Sequence, residues 1–274
     1  MSSPVVALDH VKLSVSDLDA ATRCYQALFD MSPLDSTQQA DGIGVTFATP
    51  NLVLHLDAAE DPAGLYEVGM AVDDDDRIRR RLQRLGLRYE RDLSRDPLLK
   101  SKDFCASMAL KIENTRATRG LAFNFLHRPE REAFLADSKG GGSLGLDHLV
   151  VASSDPNSTA FLFAAQLGLD MRLDMQNDKW GGRFLFFRCG DLIVEVVSGL
   201  TDRSGEAEQQ GDQTQDTFYG LSWRVSDASA ARARLLDAGF EVSELRDGRR
   251  PGTTVFTLKD IATGTPTLIL QPPK

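Results

Sequence analysis

The 274-residue sequence predicts an α+β fold built from two tandem copies of one module. Residues 146–151, with the sequence LDHLVV, repeat the opening stretch 8–13, LDHVKL, and place His148 and His10 at equivalent positions. Both stretches have the pattern of short strands, and a helix signal follows each of them. We therefore assign residues 1–136 to an N-terminal module, 137–143 to a glycine- and serine-rich linker, and 144–274 to a C-terminal module.

The sequence of the first module predicts a strand, a helix and three strands, and this order occurs twice. Ser16 and Asp17 are the expected cap of a helix from about 18 to 29, which has apolar residues spaced for one face. The acidic run 73–76 begins a second, arginine-rich helix that ends near Gly86, and we interpret its charges as a solvated helix face that complements the macrodipole. The strands of this module are predicted at 5–15, 45–48, 52–56, 68–72, 105–112 and 121–126.

The second module repeats this order. Asp155 and Pro156 begin one helix, and a helix over 228–238 ends at Gly239. The polar segment 201–217 is predicted to be a mobile loop. The repeat extends to finer detail, because residues 65–74 align with 218–227 and residues 51–55 with 191–195. The strands of this module are predicted from 144 through His148, and at 184–188, 192–197, 221–225, 255–258 and 267–270.

The composition excludes several classes of partner. The net charge is −9 and no long basic stretch occurs, which argues against nucleic acid. No apolar run approaches the roughly 20 residues of a membrane span, and the N-terminus lacks the pattern of a signal peptide. The three cysteines, Cys24, Cys105 and Cys189, are widely spaced and odd in number, which indicates a reducing cytoplasm. We expect a small-molecule substrate or ligand, and the sequence leaves a homodimer open.

These features together resemble the glyoxalase/bleomycin-resistance/dioxygenase superfamily, also called vicinal oxygen chelate. The resemblance rests on the Leu-Asp-His-apolar openings, the helix ends and the strand order, and it covers nearly the whole chain. It implies that the sheet of each module curls into an open cup. It also implies that metal ligands, where present, come from the first and last strands of each strand-helix-strands unit. The superfamily includes lyases, isomerases, ring-cleaving dioxygenases, resistance enzymes and non-catalytic binders.

The first candidate site lies in the second module. By resemblance His148 and Glu195 occupy two ligand positions, and strand alternation predicts that both side chains face the cup. An imidazole and a carboxylate suit a divalent ion such as Zn, Fe, Mn or Ni. The third position falls at Gly220 and the fourth at Thr267 or Leu268, and none of these offers a carboxylate or imidazole.

Glu195 has two further interpretations. It is flanked by valine and isoleucine, so without a metal its pKa should rise, which suits a catalytic acid or base. Alternatively it pairs with a nearby arginine, for which Arg183, Arg188 and Arg224 are the candidates.

A second candidate set lies in the first module. His10 and His55 occupy the equivalent strands, Glu67 takes the third position and Asn124 is nearest to the fourth. Two histidines and a glutamate would form a facial triad. Lys12 faces the same cup, however, and would repel a cation and pair with Glu67 instead. The sequence leaves the ligand role and the ion pair equally open.

Four residues are candidates for substrate binding. Arg224 shares the inward face of its strand, and Arg249 and Arg250 lie in a glycine-containing loop that could hold a carboxylate or phosphate. A charged hairpin turn is the alternative for that loop. Trp180 is expected at the cup rim, where it would stack on an aromatic substrate or cover the sheet edge.

The sequence therefore predicts a divalent-metal-dependent lyase or isomerase. By resemblance its substrate would be a small 2-oxo, hydroxy-ketone or catechol-like compound with adjacent oxygens. One alternative is a metal-free protein that binds or sequesters a small molecule. The other is a ring-cleaving extradiol dioxygenase, which the incomplete ligand set of the second module disfavours.

Overall fold

The computed structural model describes residues 3–34, 37–39, 42–58, 63–98, 105–112, 116–137, 141–177, 181–199, 215–259 and 261–273. It contains two open, eight-stranded mixed sheets, one in each module. When the eight strands of each module are numbered along the chain, both sheets have the same spatial order: second, third, fourth, first, fifth, eighth, seventh and sixth. The α+β class and the tandem repeat are thus confirmed.

In the first module the strands are β1 Val5–Val15, β2 Thr37–Gln39, β3 Gly42–Ala48, β4 Val53–Ala58, β5 Gly64–Val72, β6 Tyr89–Arg91, β7 Met108–Ile112 and β8 Phe123–His127. Its helices are α1 Leu18–Phe29, α2 Asp75–Arg84 and α3 Arg131–Asp137, and a 3₁₀ turn lies at Leu93–Arg95.

In the second module the strands are β9 Ser143–Ala152, β10 Asp170–Asn177, β11 Gly182–Cys189, β12 Leu192–Val197, β13 Thr217–Val225, β14 Arg246–Asp247, β15 Thr254–Leu258 and β16 Thr267–Gln271. Helix α4, Pro156–Ala160, continues in π-helical geometry over Phe161–Leu167, and α5 spans Ala228–Asp237. A 3₁₀ turn lies at Ile261–Thr263.

An aspartate caps the helix that follows the first strand of every strand-helix-strands unit. In each case its carboxylate accepts a hydrogen bond from the backbone N–H three residues later, which satisfies one unpaired donor of the first turn. The four caps are Asp17, Asp74, Asp155 and Asp227. The repeat seen in the sequence therefore extends to the chemistry that begins each helix.

One apolar core runs through both modules, so they pack as an internal pseudo-dimer. Trp223 of the second module meets Tyr25 and Phe29 of the first, with ring centroids 6.2 and 4.8 Å apart. Arg234 on α5 donates to the carbonyl oxygen of Ala27 in α1 at 2.8 Å. Because the helix faces of the two sheets are buried against each other, each module keeps the opposite face for its cup.

The structure adds strands that the sequence did not predict. These are the four edge strands β2, β6, β10 and β14. The two ends of the proposed linker lie in regular structure, since Asp137 ends α3 and Ser143 begins β9. Most of the predicted mobile loop, residues 201–214, lies outside the described residues. Among the described helices none is long and apolar enough to cross a membrane.

Candidate functional site

A β-bulge in β9 turns two adjacent side chains toward the same side of the sheet. His148 pairs with Ser222 of β13, but the next pair joins Leu146 to Trp223, so Asp147 is an extra residue in β9. Such an extra residue breaks strict alternation and redirects a side chain. Asp147 and His148 consequently both line the C-terminal cup. The same bulge occurs in β1 at Asp9.

His148 and Glu195 face one cavity of about 880 Å³ on the concave side of the second sheet. The two strands are parallel neighbours, with Ile193 beside His148 and Glu195 beside Val150. Residues two positions apart on one strand share a face, so the imidazole and the carboxylate are diagonal neighbours. The structure thus brings together the two residues that the sequence singled out, and the volume suits a small organic ligand.

The Asp147 carboxylate contacts Nδ1 of His148 and fixes the imidazole. This bond leaves Nε2 as the ring nitrogen that is available to a ligand. Burial raises the pKa of Asp147, but the hydrogen bond from His148 and the charges of His148, Arg224 and Arg250 outweigh it and hold the pKa below its ordinary value. The Asp147 carboxylate therefore stays charged beside the imidazole.

Glu195 is half-buried, and burial raises its pKa above the ordinary value. The charges of His148 and Arg249 lower it in part, and that of Asp147 adds to the rise. The three arginines proposed as its partners bond elsewhere: Arg183 to Asp174, Arg188 to the carbonyl oxygen of Gly190, and Arg224 to Asp191. In the described part of the chain, the structure therefore does not support those ion pairs for Glu195.

The rest of the expected ligand set does not suit a metal. A Cβ at Gly220 would lie 2.8 Å from the carbonyl oxygen of Pro266, so no side chain fits at the third position without movement. At the fourth, Leu268 pairs with Ser222 and lines the cup. The Oγ1 of Thr267 donates to the carbonyl oxygen of Thr265 at 2.8 Å. Within the described ranges no group of three or more His, Cys, Asp or Glu side chains could hold a metal ion. His148 and Glu195 alone do not fit a divalent ion held by three or four side chains.

The arginine-containing loop is the turn between β14 and β15, as the hairpin alternative predicted, and it also lines the cup. The Thr253 hydroxyl donates to the carbonyl oxygen of Arg250 at 2.6 Å and closes the turn. The Arg249 guanidinium lies 5.8 Å from the ring centroid of Phe184, over the cup wall. Arg224 also lines the cup, but Asp191 at 2.7 Å already neutralises it. Trp180 lies outside the described residues.

The cup of the first module is filled. Val53, the neighbour of His10 on the cup side, is 1% exposed. Leu98 and two residues of α3, Phe134 and Leu135, pack against it in a separate apolar cluster. This packing excludes a ligand from the cup-facing side of β1 and β4.

The second candidate metal set is corrected by this geometry. Lys12 pairs in register with both His55 and Glu67, and its Nζ lies 3.0 Å from Oε1 of Glu67. A buried ammonium thus stands between the two proposed ligands. Both ring nitrogens of His55 are engaged, with Thr46 at 2.8 Å and Asp57 at 3.0 Å. The ion pair, and not the metal triad, is the correct interpretation of Glu67.

His10 is likewise part of a buried polar network. Its Nδ1 lies 3.0 Å from Asp9, which in turn accepts hydrogen bonds from Arg128 at 3.1 and 3.2 Å. Arg128 also binds Asp96, at 2.8 Å, in the segment that covers the cup. These contacts attach the covering segment to β1. The Asp9–His10 pair therefore stabilises the fold of this module.

Four residues of the cup are not among the predicted site residues. Asp147 was noted only as part of the repeat, because its inward orientation depends on the bulge. Phe184 and Phe186 form an aromatic wall, and their alternation within β11 could have indicated it. Ser222 faces the cup opposite His148. Its place on the inward face beside Gly220 was the available signal.

Two family models match the sequence, and they cover residues 7–107 and 147–257. Both describe the Glyoxalase/Bleomycin resistance protein/Dioxygenase superfamily. A comparison with curated protein sequences gave no significant match. The family evidence therefore comes from one match in each module.

Solved structures support the same fold over the whole chain. A Mn(II)-bound glyoxalase from Novosphingobium aromaticivorans is 13% identical with a TM-score of 0.67, covering 99% of this chain and 84% of that one. The 2,3-dioxygenase LapB from Pseudomonas sp. KL28 is 12% identical with a TM-score of 0.69, covering 100% and 94%. The 2,2',3-trihydroxybiphenyl 1,2-dioxygenase from Sphingomonas wittichii is 15% identical with a TM-score of 0.65, covering 98% and 91%. The chain belongs to the glyoxalase/bleomycin resistance protein/dioxygenase superfamily, in the form with two tandem modules.

Proposed function

We propose that the chain is a lyase or isomerase that moves a proton within a small oxygenated compound bound in the C-terminal cup. The observation that carries this proposal is the presence of Glu195 and the His148–Asp147 pair in one cavity of ligand size. Burial raises the pKa of Glu195, which brings a carboxylate closer to the neutral range where a catalytic base is most effective.

The chemistry follows from the groups in the cup. The Glu195 carboxylate would remove a proton from the carbon next to a carbonyl, breaking C–H and forming O–H on the glutamate. The electron pair would form a carbon–carbon double bond and leave an enolate oxygen, which a ring N–H of His148 would stabilise. In an isomerase acting on a hydroxy-ketone, the carbon that loses the proton carries the hydroxyl. That hydroxyl would pass its proton to the enolate oxygen and become the new carbonyl, while Glu195 returns its proton to the former carbonyl carbon. In a lyase, the enolate would reform the carbonyl and expel a leaving group from the next carbon, which forms a double bond there, and the leaving group would take the proton from Glu195.

No step is assigned to a metal ion. One neighbouring structure is described as Mn(II)-bound, so divalent metal chemistry exists among the structural relatives. Here His148 and Glu195 offer two donors, while Gly220 and Leu268 stand at the other two positions. By resemblance the ring-cleaving dioxygenases use two histidines and a glutamate, so the same vacancy in the donor set disfavours that alternative.

A metal-free binding protein is the second candidate, and the incomplete ligand set favours it equally. It would hold the same small molecule in the same cup and release it unchanged. The two candidates differ only in whether Glu195 transfers a proton, so an assay of proton exchange distinguishes them.

The test follows deuterium uptake by NMR in D2O at the carbon next to the carbonyl of phenylpyruvate and of hydroxyacetone. Calorimetry measures binding of the same two compounds. The wild type, Glu195→Gln and His148→Gln are compared with and without a chelator. We expect catalysed exchange that Glu195→Gln slows at least about 100-fold, as for loss of a catalytic base, and that the chelator leaves unchanged.

Each of the other possible results supports a different function or overturns the proposal. Binding without exchange supports the binding protein. Exchange that requires added Mn²⁺ and stops with the chelator supports the metal-dependent enzyme. If neither compound binds and neither takes up deuterium faster with the protein than without it, the proposal is overturned.

A further inference from the structure

The buried hydroxyl of Ser222 indicates that this residue binds a ligand. The residue is 4% exposed and lines the C-terminal cup, and its Oγ has no hydrogen-bond partner among the described residues. It stands directly across from His148 in the strand pairing. A buried hydroxyl without a partner is costly, and a ligand oxygen beside the imidazole would satisfy it.

The opposite part of the cup combines aromatic rings with cationic groups. Phe184 and Phe186 form one wall, and the His148 ring lies 6.5 Å from that of Phe186 in an edge-to-face arrangement. Arg249 and Arg250 line the cup from the β14–β15 turn, and Arg249 lies over Phe184. Arginine binds carboxylates through charge-assisted hydrogen bonds, and aromatic walls favour a flat apolar body.

We infer that the ligand of this cup is an aromatic 2-oxo or 2-hydroxy acid. Its ring packs on Phe184 and Phe186, its carboxylate meets Arg250 with Arg249, and the oxygen on its second carbon bonds to Ser222 and His148. The inference rests on the proposed function, because it names the substrate class of the same site. Ser222 and His148 would thus bind the substrate oxygen although Gly220 supplies no metal ligand at the third position.

The experiment measures the binding of four compounds by calorimetry. Phenylpyruvate has all three features, 3-phenylpropanoate lacks the second-carbon oxygen, phenylacetone lacks the carboxylate, and pyruvate lacks the ring. Ser222→Ala is compared with Ser226→Ala, whose exposed hydroxyl lies outside the cup. Arg250→Gln is compared with Arg172→Gln, an arginine of an exposed ion pair.

The wild type should bind phenylpyruvate about 100-fold more tightly than 3-phenylpropanoate, because the second-carbon oxygen adds bonds to Ser222 and His148 that are worth about tenfold each. Ser222→Ala should reduce that difference to about tenfold, since the bond to His148 remains, and should leave 3-phenylpropanoate unaffected. Arg250→Gln should weaken phenylpyruvate binding about tenfold and leave phenylacetone unaffected. The control variants should match the wild type.

The two failures are distinguishable. If the wild type binds phenylpyruvate but Ser222→Ala and Arg250→Gln bind it as their controls do, the substrate class is wrong and the proposed function stands. If the wild type binds none of the four compounds, the inference is overturned, and the exchange assay with hydroxyacetone then decides the proposed function.

Discussion

Replacing Arg128 by methionine tests whether an ion-pair clamp closes the first cup. Arg128 is 5% exposed, and Asp9 and Asp96 are each 1% exposed. The guanidinium makes four hydrogen bonds to the two carboxylates, at 2.8 to 3.3 Å. Burial alone would raise the pKa of Asp9, but the charges and hydrogen bonds of Arg128 and His10 outweigh it and hold that pKa well below its usual range. The substitution would leave two carboxylates buried without their cation.

Breaking a buried ion pair in this way costs about 3–5 kcal/mol. The carboxylates can escape the cost only by taking up protons. At pH 7 this costs about 4 kcal/mol for a group with an ordinary pKa near 4, and at pH 5 it costs about 1.4 kcal/mol. The loss of stability in Arg128→Met should therefore be about 4 kcal/mol or more at pH 7, and smaller by about 2–3 kcal/mol at pH 5.

Urea denaturation at the two pH values measures this loss. Because the pKa of Asp9 is lowered in the wild type, this carboxylate contributes stability that is fully present above the ordinary carboxyl range. The carboxylates that lose Arg128 in the variant are instead relieved as the pH falls and they take up protons. Arg172→Met removes an exposed ion pair of 2.7 Å and should cost less than about 1 kcal/mol. An Arg128→Met loss as small as this control, or one that does not depend on pH, refutes the clamp.

Two further predictions concern the sheet and the cup. In Gly69→Ala the new Cβ would lie 2.3 Å from the fully buried ring of His10, so we expect a loss of about 1–3 kcal/mol in urea denaturation. In Gly142→Ala the nearest atom to the new Cβ would be the end of the flexible Arg234 side chain at 3.0 Å, so this variant should lose less than about 0.5 kcal/mol. Equal losses in the two variants would contradict the prediction. Because the pKa of Glu195 is raised, the wild type loses stability as the pH rises from the ordinary carboxyl range through that raised pKa. The melting temperature of Glu195→Gln, compared with that of the wild type, should therefore increase over that pH range, and the difference should then become constant. A difference that is the same at every pH would show that burial does not raise the pKa of Glu195.

The sequence predicts the fold because short sequence patterns mark the repeat. The two Leu-Asp-His stretches and the aspartate caps fix the start of each unit, and the caps are observed in all four units. Strand β10 escaped prediction because its residues are nearly all exposed, so no alternation of buried and exposed side chains marks it. Edge strands of this kind are stabilised by one neighbour and need no apolar pattern.

The candidate site was predictable where alternation alone decides it. His148 and Glu195 face one cup as expected, although their roles remain predictions. Asp147 joins them only because a bulge adds a residue to β9, which alternation does not reveal. The filling of the first cup depends on Leu98 and Phe134, which are distant in sequence from β1 and meet it only in the folded chain.

We expect the ligand to bind in the C-terminal cup, because the first cup is closed by its own side chains. The chain has four histidines, so long-range ¹H–¹⁵N NMR spectra can follow each imidazole separately during a titration with phenylpyruvate. We predict that the ring signals of His148 shift with the ligand, whereas those of His10 and His55 do not move. Shifts of His10 or His55 with His148 unchanged would contradict the account.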